Sequence, residues 1–378
     1  MEQPIPAEFL RPWQAMPEPR HHNHLHPLRS ILAIALLAVL CGAENWTEVA
    51  CWGQQRKDWL ATFLDLPYGI PSHDTFGAVF ARLDPDAFEA CFGAWMASLV
   101  ELSRGQLLAI DGKGIRRSFS RGWDKQGMSH MVSAFVQANR MVFAQLQAEG
   151  KGNELEAIGR LLDLLELKGA VVSVDALGCQ KQIAAKVLER GGEYLLRVKE
   201  NQSALLEATQ KLLDEAQRGG SEGLCCDQDQ QTEGDHGRIE SRRAVACWNV
   251  ERLGELKEDW PGLRCLLAVE CTRELPGERS TETHYYISSL DRRRTARKLA
   301  GYARGHWSVE NNLHWQLDVS FNEDQNRSRK GHGAENFSRL RRMALNLLER
   351  ERSVKAGIKA KRKCCGWNPD YLLKVLTT

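Results

Sequence analysis

Apolar residues recur at helical spacing through the first 100 residues of the chain. Leu28 and Ile31 begin an apolar face that a helix would bury against its neighbours. Ser72 is typical of a helix start, because its hydroxyl can accept a hydrogen bond from a free backbone N–H, and Asp74 is the alternative cap. The pattern predicts an all-helical N-terminal module over residues 1–104.

Short apolar runs typical of strands begin after Gly105. Five of them predict strands, at residues 106–110, 130–137, 141–147, 170–174 and 194–198. Helical patterns lie between the last three runs, at residues 154–167 and 180–190. The order β-β-β-α-β-α-β predicts an α/β fold whose first part spans residues 105–222.

The composition and the spacing of apolar residues change in the second half of the chain. Residues 218–235 are rich in Gly, Gln and Asp, and we interpret them as a linker. Alternating patterns then predict strands at residues 244–250, 263–272 and 283–288. The sequence thus predicts a β-rich insertion at 223–290, a second helical part of the core at 291–352 and a basic C-terminal tail at 353–378.

The charge balance hides a strong segregation. The 378 residues carry 51 Lys and Arg against 49 Asp and Glu, a net of +2 that favours no particular partner. Residues 1–100 have a net charge of −5, whereas residues 327–363 have a net charge of +10. Such a basic block indicates either a polyanionic partner or a solvated helix face, and both interpretations stay open at this point.

Several classes of protein are excluded or disfavoured. No apolar run approaches the roughly 18 residues of a transmembrane helix, so we expect no membrane association. The eleven scattered cysteines show no paired zinc spacing and favour a reducing cytoplasm. No P-loop, dinucleotide-binding glycine motif or nucleophile elbow occurs, so no nucleotide cofactor is expected.

Two acidic residues stand at the ends of apolar, strand-like runs. Asp111 directly follows the apolar run at 106–110, and Asp175 directly follows the continuous β-branched run at 170–174. Carboxylates at strand ends of an α/β sheet lie at the edge where ligands bind. If the two converge they require a proton or a cation, and oxygen ligands select Mg²⁺ or Mn²⁺. The alternative is that each aspartate only caps a turn.

A third acidic candidate lies in a helical segment near residue 310. His306, Glu310, His314 and Asp318 recur every four residues and would form one polar stripe beside an apolar one. A glutamate that is only a solvated surface charge is not usually found beside a buried apolar stripe and two tryptophans. The alternative is an amphipathic helix with a polar outer face.

Several sequence blocks together indicate a known family. They include AIDGK at 109–113, VDALGCQK at 174–181, HWSVEN at 306–311 and LHWQLDV at 313–319. Further blocks lie at residues 69–76, 130–135, 153–154 and 199–202. Over nearly its whole length the chain resembles the DDE transposases of bacterial insertion sequences, in the group that includes the H-repeat-associated proteins.

The resemblance implies an RNase H-like catalytic core with a mostly β insertion. It also implies that Asp111, Asp175 and Glu310 are the catalytic residues and the ligands of two Mg²⁺ or Mn²⁺ ions. The implied activity is DNA strand cleavage and strand transfer at transposon ends. The wider family's Tyr, Arg and Lys around the glutamate are not kept, since Ala303, His306 and Leu317 occupy those positions; Tyr302 and Arg304 lie nearby out of register.

The implied partners are double-stranded DNA, as transposon ends and target, and a second copy of the chain in a homodimeric synaptic complex. Ten residues are predicted to contact DNA: Lys113, Arg116, Arg117, Arg304, His306, Arg327, Arg329, Lys330, Arg341 and Arg342. For the first three a solvated hairpin is an equal alternative. The basic block, with Arg339 and the run at 359–363, would neutralise phosphates, and the N-terminal module would bind DNA ends or dimerise.

We expect the protein in the cytoplasm, associated with the nucleoid when it is bound to DNA. Two alternatives to an active transposase remain. One is an inactive, domesticated DNA-binding derivative, and the other is a Mg²⁺-dependent nuclease that does not transpose.

Overall fold

A computed structural model describes residues 7–21, 24–99, 104–118, 128–148, 153–217, 224–235 and 238–377. The chain forms two compact units. Unit 1 comprises Met1–Glu101, Gly112–Ala157 and Glu310–Thr378, and unit 2 comprises Leu102–Asp111 and Ile158–Val309. Each unit therefore combines segments that are distant in sequence.

The α-helices are as follows, in chain order: α1 (Ala7–Leu10), α2 (Leu28–Leu40), α3 (Trp46–Gln55), α4 (Lys57–Leu60), α5 (His73–Arg82), α6 (Pro85–Leu99), α7 (Glu154–Asp163), α8 (Lys181–Glu189), α9 (Ser203–Gln217), α10 (Glu255–Glu258), α11 (Ala296–His306), α12 (Trp315–Val319), α13 (Gly333–Arg350), α14 (Ile358–Trp367) and α15 (Pro369–Thr377). The strands are β1 (Leu107–Gly114), β2 (His130–Val136), β3 (Met141–Ala148), β4 (Val171–Val174), β5 (Glu193–Val198), β6 (Cys226–Asp235), β7 (Arg238–Cys247), β8 (Cys265–Leu275) and β9 (Glu278–Ser288). No helix in these described ranges is both long and apolar enough to span a membrane.

Unit 1 is mainly helical. Helix α2 is buried along almost its whole length and packs against α13. The predicted start of α5 is confirmed, since the Ser72 hydroxyl accepts a hydrogen bond from the Thr75 backbone N–H at 3.2 Å. Strands β2 and β3 form an antiparallel hairpin in this unit, and β2 lies beside the end of β1.

The boundaries predicted for the two ends of the chain do not coincide with this unit. Helices α2 and α5 of the N-terminal segment pack against α13. The segment 353–378, which we predicted as a basic tail, contains α14 and α15, and both helices pack against α13. Their packing explains why part of the positive charge there is buried.

Unit 2 is built on a sheet with the strand order β1-β4-β5-β9-β8-β7-β6. Strands β1, β4 and β5 are parallel, with Leu107 opposite Val171 and Val171 opposite Glu193. Strands β6 to β9 pair antiparallel in chain order, and β9 also pairs antiparallel with β5. Helix α11 packs its apolar face, including Leu299 and Tyr302, against this sheet. The predicted α/β class is confirmed, since parallel strands, antiparallel strands and helices share this unit.

The predicted linker at 218–235 is wrong in its second half, where β6 spans Cys226–Asp235. This strand is the edge of the sheet and pairs with β7 along its whole length. An edge strand can be held by backbone hydrogen bonds without an apolar face, so hydrophobic alternation gave no signal. Strand β7 also begins earlier than predicted, at Arg238, because none of its first six residues is fully buried and they show no apolar alternation. Residues 218–223 lie outside the described part.

Candidate active site

The structure places two of the predicted acids on neighbouring parallel strands of unit 2. Ile110 of β1 is opposite Val174, the last residue of β4, so Asp111 and Asp175 are the next residues along the two chains. Neighbouring strands are about 4.8 Å apart, which brings the two carboxylates to one end of the sheet. Both residues are partly exposed. The pair can therefore reach a ligand from solvent.

A buried arginine lies beside this pair. Arg197 on β5 is mostly buried, and its Nη1 is 4.0 Å from Asp175 Oδ1. Its Nη2 donates a hydrogen bond to His284 Nδ1 at 2.7 Å, and its guanidinium lies over the Trp307 ring at 5.4 Å. Burial and Arg197 lower the pKa of His284, so its ring is neutral and can accept this bond. The sequence analysis did not select Arg197, although it is the one charged residue in the segment 194–198 of β5.

The loop after Asp175 is held by two amide side chains. Asp175 precedes a short 3-10 helix, Ala176–Gly178. Asn201 Nδ2 donates to the carbonyl of Ala176 at 2.8 Å, and Gln202 Nε2 donates to the carbonyl of Cys179 at 3.1 Å. These contacts give the conspicuous block at 199–202 a structural role, because they restrain the backbone that carries Asp175.

His306 does not have the environment of a phosphate ligand. Its Nδ1 is hydrogen-bonded to the Ser173 hydroxyl at 2.9 Å. Burial lowers the pKa of His306 to about 4, with an opposing contribution from Asp175. The imidazole is therefore neutral near pH 7, and the prediction that it neutralises a DNA phosphate is corrected.

Arg304 is paired within unit 2. Its two terminal nitrogens each lie 2.7 Å from an oxygen of Glu233, in a bidentate ion pair. Tyr302, the nearby tyrosine, donates its hydroxyl hydrogen to the carbonyl of Gly105 at 3.0 Å. Both side chains thus have partners within the protein. DNA contact by Arg304 stays a prediction, and a DNA phosphate would have to compete with Glu233 for its guanidinium.

Glu310 is exposed and is the first residue of a π-helical turn, Glu310–His314. π-turns are rare and occur frequently at functional sites. The wider turn interrupts the four-residue spacing, so His306, Glu310, His314 and Asp318 do not form the single stripe that we predicted on a regular helix. Within the described ranges, no three His, Cys, Asp or Glu side chains form a group that could hold a metal ion. The geometric support for a metal site comes from Asp111 and Asp175.

Lys113 lies in unit 1 and is enclosed by acids. Its Nζ is 2.7 Å from Asp318 Oδ1, 3.4 Å from Asp324 Oδ1 and 4.0 Å from Glu323 Oε2. Only 9% of its side chain is exposed. Both earlier interpretations of Lys113, a DNA contact and a solvated hairpin, are therefore corrected. Its place two residues after Asp111 in the sequence suggested a role near the acids, whereas its ion-pair partners are more than 200 residues away.

The other basic residues near Lys113 are exposed. Arg116 pairs with Asp324 at 3.3 Å but keeps 78% of its side chain exposed. Arg117 has a left-handed backbone, and its carbonyl accepts a hydrogen bond from Arg329 Nε at 3.0 Å. Arg327, Arg329 and Lys330 are exposed as well. These five residues are exposed, and their contact with DNA stays a prediction.

Arg341 and Arg342 are buried in unit 1, which corrects their predicted role as DNA contacts. Their side chains are 2% and 0% exposed, and they lie 3.8 and 3.3 Å from Glu323 Oε1. Although burial acts to raise it, Arg342, Arg341 and Lys113 hold the pKa of Glu323 below its ordinary value. The charges compensate each other inside the protein and cannot meet a polyanion.

Two members of the run at 359–363 are also internal. Lys361 donates to the carbonyl of Leu348 at 2.8 Å. Arg362 donates to the carbonyls of Val39 and Ala43, and its guanidinium lies over the Phe321 ring at 4.3 Å. Hence these cations tie α14 to the core, and only the exposed members of the run, such as Lys363, can face solvent.

Comparison with known proteins decides the family. The family model described as "Transposase DDE domain" matches residues 102–347, and the model described as "DDE_Tnp_1-associated" matches residues 12–96. The chain belongs to the DDE transposase family. The resemblance stated from the sequence blocks is confirmed.

Relatives of this transposase family cover most of the chain. "Putative transposase YncI" of Escherichia coli O157:H7 is 39% identical over 356 residues, which cover 93% of this chain and 90% of the relative. "H repeat-associated putative transposase YhhI" of Escherichia coli (strain K12) is 36% identical over 355 residues, or 93% and 92%. "Inactive transposase YbfQ" of the same strain is 36% identical over 58 residues, which cover 15% of this chain and 69% of YbfQ. The predicted group with the H-repeat-associated proteins is confirmed.

Among solved structures, the cryo-EM piggyBac transposase synaptic complex with hairpin DNA aligns with a TM-score of 0.42 at 10% identity. It covers 99% of this chain and 78% of that one. A score of this size is too low to support an argument about the fold.

Proposed function

We propose that this DDE transposase is an insertion-sequence enzyme that cleaves DNA at the element ends and joins the freed 3′ hydroxyl to target DNA. The observation that carries the proposal is the placement of Asp111 and Asp175 at equivalent positions of neighbouring parallel strands. The β-β-β-α-β-α-β order around them supports an RNase H-like catalytic core.

The donor set fits a hard divalent cation. Asp111 and Asp175 offer carboxylate oxygens, which Mg²⁺ and Mn²⁺ prefer over the sulfur and nitrogen ligands of zinc. Arg197 is 4.0 Å from Asp175, beyond hydrogen-bond distance, so this carboxylate keeps its oxygens for another ligand. We propose Glu310 as the third ligand on the strength of the family resemblance. Two such ions, when bound, would activate the attacking oxygen and stabilise the leaving oxygen of the phosphodiester.

The protein's own side chains orient the acids. Arg197, fixed by His284 and Trp307, places a positive charge beside Asp175. Asn201 and the neighbouring Gln202 restrain the loop behind that carboxylate. No side chain is required as a nucleophile, since water and the DNA 3′ hydroxyl serve in turn.

DNA contacts in this proposal come from exposed cations. Arg116, Arg117, Arg327, Arg329 and Lys330 would neutralise phosphates and contribute affinity rather than sequence recognition. Two element ends must be brought together, so we propose a homodimer in the synaptic complex. Its place would be the cytoplasm, where the DNA is.

A plasmid carrying the candidate element ends, purified protein and Mg²⁺ test the proposal. We expect wild type to cut at the ends, and Asp111→Asn and Asp175→Asn to bind the ends without cutting. Asp259→Asn is the matched control, because Asp259 is half-exposed in the same unit and pairs only with Lys181 in the contacts described. Equal cutting by wild type and both variants would refute the assignment. A wild type that binds but never cuts would support the inactive derivative, for which the relative named inactive is a precedent.

A further inference from the structure

A second site lies at the edge of the unit 2 sheet that is opposite to Asp111 and Asp175. A cleft of about 720 Å³ opens where β1, β4 and β5 begin. These strands are parallel, so their first residues share one edge and the two aspartates share the other. From Val171 to Asp175 the chain advances about 13 Å, at roughly 3.3 Å per residue. A ligand in the cleft is therefore separate from the acidic pair.

Glycine turns stand at the start of these strands, and two of the glycines, Gly169 and Gly191, line the cleft. Gly105, Gly169 and Gly191 precede the three strands, and all have left-handed φ angles of 77°, 75° and 76°. The Gly105 N–H donates to the Gly169 carbonyl and the Gly169 N–H donates to the Gly191 carbonyl, both at 2.8 Å. Side chains would strain this conformation, since left-handed φ favours glycine. The turns hold the residues beside them in fixed positions.

Six of the ten lining residues are charged, and positive charge predominates. Arg104 and Lys168 stand next to the glycine turns, and Arg293 and Arg294 approach from the segment before α11. Arg293 is paired with Asp291 at 2.7 Å. Arg104, Lys168 and Arg294 have no carboxylate partner among the described residues. Unpaired cations that converge on one cleft favour an anionic ligand.

We propose that this cleft binds the phosphodiester backbone of a DNA segment other than the one being cut. The inference rests on the proposed function, since strand transfer requires the protein to hold element ends and target DNA together. The C-terminal basic block offers fewer phosphate contacts than its charge indicates, because Arg339, Arg341, Arg342 and Lys361 are buried. The cleft supplies such contacts within unit 2.

The salt dependence of DNA binding tests the proposal. Two lost phosphate contacts reduce the slope of log affinity against log salt by about 1.8 for duplex DNA. When salt rises from about 50 to about 200 mM, DNA affinity falls for both proteins. The factor by which it falls should be about twelve-fold smaller for Lys168→Gln/Arg294→Gln than for wild type. Lys168→Arg keeps the charge and should keep the wild-type slope. Lys211→Gln/Arg273→Gln removes two exposed cations outside the cleft and is the matched control.

All four proteins carry Asp111→Asn in this experiment, so cleavage does not affect the binding data. A cleft variant with the wild-type slope, or with the slope of the Lys211→Gln/Arg273→Gln control, would overturn the proposal. If the slope falls as expected while the Asp111 enzyme fails to cut DNA, the cleft stands and the proposed catalytic function fails. The two failures are thus distinguishable.

Chemical protection identifies the ligand class. Lysine acetylation followed by mass spectrometry should show Lys168 protected at least five-fold by a random-sequence duplex, with Lys211 unprotected as the internal control. Equal protection by inorganic phosphate would indicate a site for a single anion and overturn the proposal. Equal protection by polyglutamate would indicate an acidic protein partner and would also overturn it.

Discussion

In sequence, the arginines of α13 resemble a DNA-binding face. We predict that they stabilise the fold instead, and substitution of Arg339 is the sharpest test. Its side chain is 0% exposed and donates through Nε to Glu89 at 2.6 Å and through Nη2 to Glu335 at 3.2 Å. Glu89 also accepts a hydrogen bond from the backbone N–H of Gln145 at 2.9 Å. Arg339→Met keeps a similar volume but leaves Glu89 buried without its cation.

Breaking one partner of a buried ion pair costs about 3–5 kcal/mol, because the remaining charge is not compensated. We therefore expect Arg339→Met to lower the free energy of unfolding of unit 1 by about that amount near pH 7. Burial already raises the pKa of Glu89 in wild type despite Arg339, and removal of Arg339 raises it further. The loss should shrink as the pH falls and Glu89 takes up a proton. Glu89→Gln/Arg339→Met removes both charges and should recover at least about 2 kcal/mol of the loss.

Urea unfolding followed by circular dichroism measures these differences, with each unit fitted as its own transition if two appear. DNA binding by the folded Arg339→Met protein should show the wild-type salt slope, because the residue makes no phosphate contact. The reasoning is refuted if the single variant loses less than about 1 kcal/mol, or if the double variant loses the sum of the two single variants. A reduced salt slope would restore Arg339 as a DNA contact.

Three further predictions concern other parts of the chain. Arg362→Met should cost about 2–4 kcal/mol of unfolding free energy, since it strands buried carbonyls, whereas Lys363→Gln should change it by less than about 0.5 kcal/mol in the same urea titration. Asn201→Ala should slow end cleavage about five- to ten-fold in a time course, through loss of one loop hydrogen bond, with DNA affinity unchanged. Although burial acts to raise it, hydrogen bonds that include one from Tyr371 lower the pKa of Glu351 from 4.5 to about 2. The contribution of Glu351 to folding stability is therefore present above pH 4.5 and is lost as the pH falls towards 2. Tyr371→Phe should weaken this pH dependence of stability in urea midpoints measured from about pH 6 to about pH 3.

Sequence patterns predicted the parts of the fold that bury apolar side chains. The buried first half of β1, residues 107–110, and strand β4 follow from short apolar runs, since a strand buried on both faces is apolar there. The aspartates at 111 and 175 come directly after these buried residues. Strand β6 was missed because an exposed edge strand needs only backbone pairing. Periodicity therefore located the acidic pair but not the full extent of the insertion.

Side-chain roles were harder to predict because charged residues are expected at the surface. Arg339 was assigned to DNA, yet it pairs with Glu89, which is 250 residues away in sequence, as well as with Glu335 on its own helix. Arg342 was also assigned to DNA, and it pairs with Glu323, which lies before α13. Lys113 was misjudged for the same reason, since Asp318 is 205 residues away. A single sequence gives the charge of such residues but not the compensating charge.

The most direct test of the metal-centred account is a change of metal preference at the acidic pair. Asp111→Cys replaces a hard oxygen ligand by a softer thiolate, which binds Mn²⁺ better relative to Mg²⁺. Cleavage of DNA ends by this variant should be lost in Mg²⁺ and partly restored in Mn²⁺, while Asp259→Cys should cut normally in both. Full activity of Asp111→Cys in Mg²⁺ would show that Asp111 is not a metal ligand and would contradict the account.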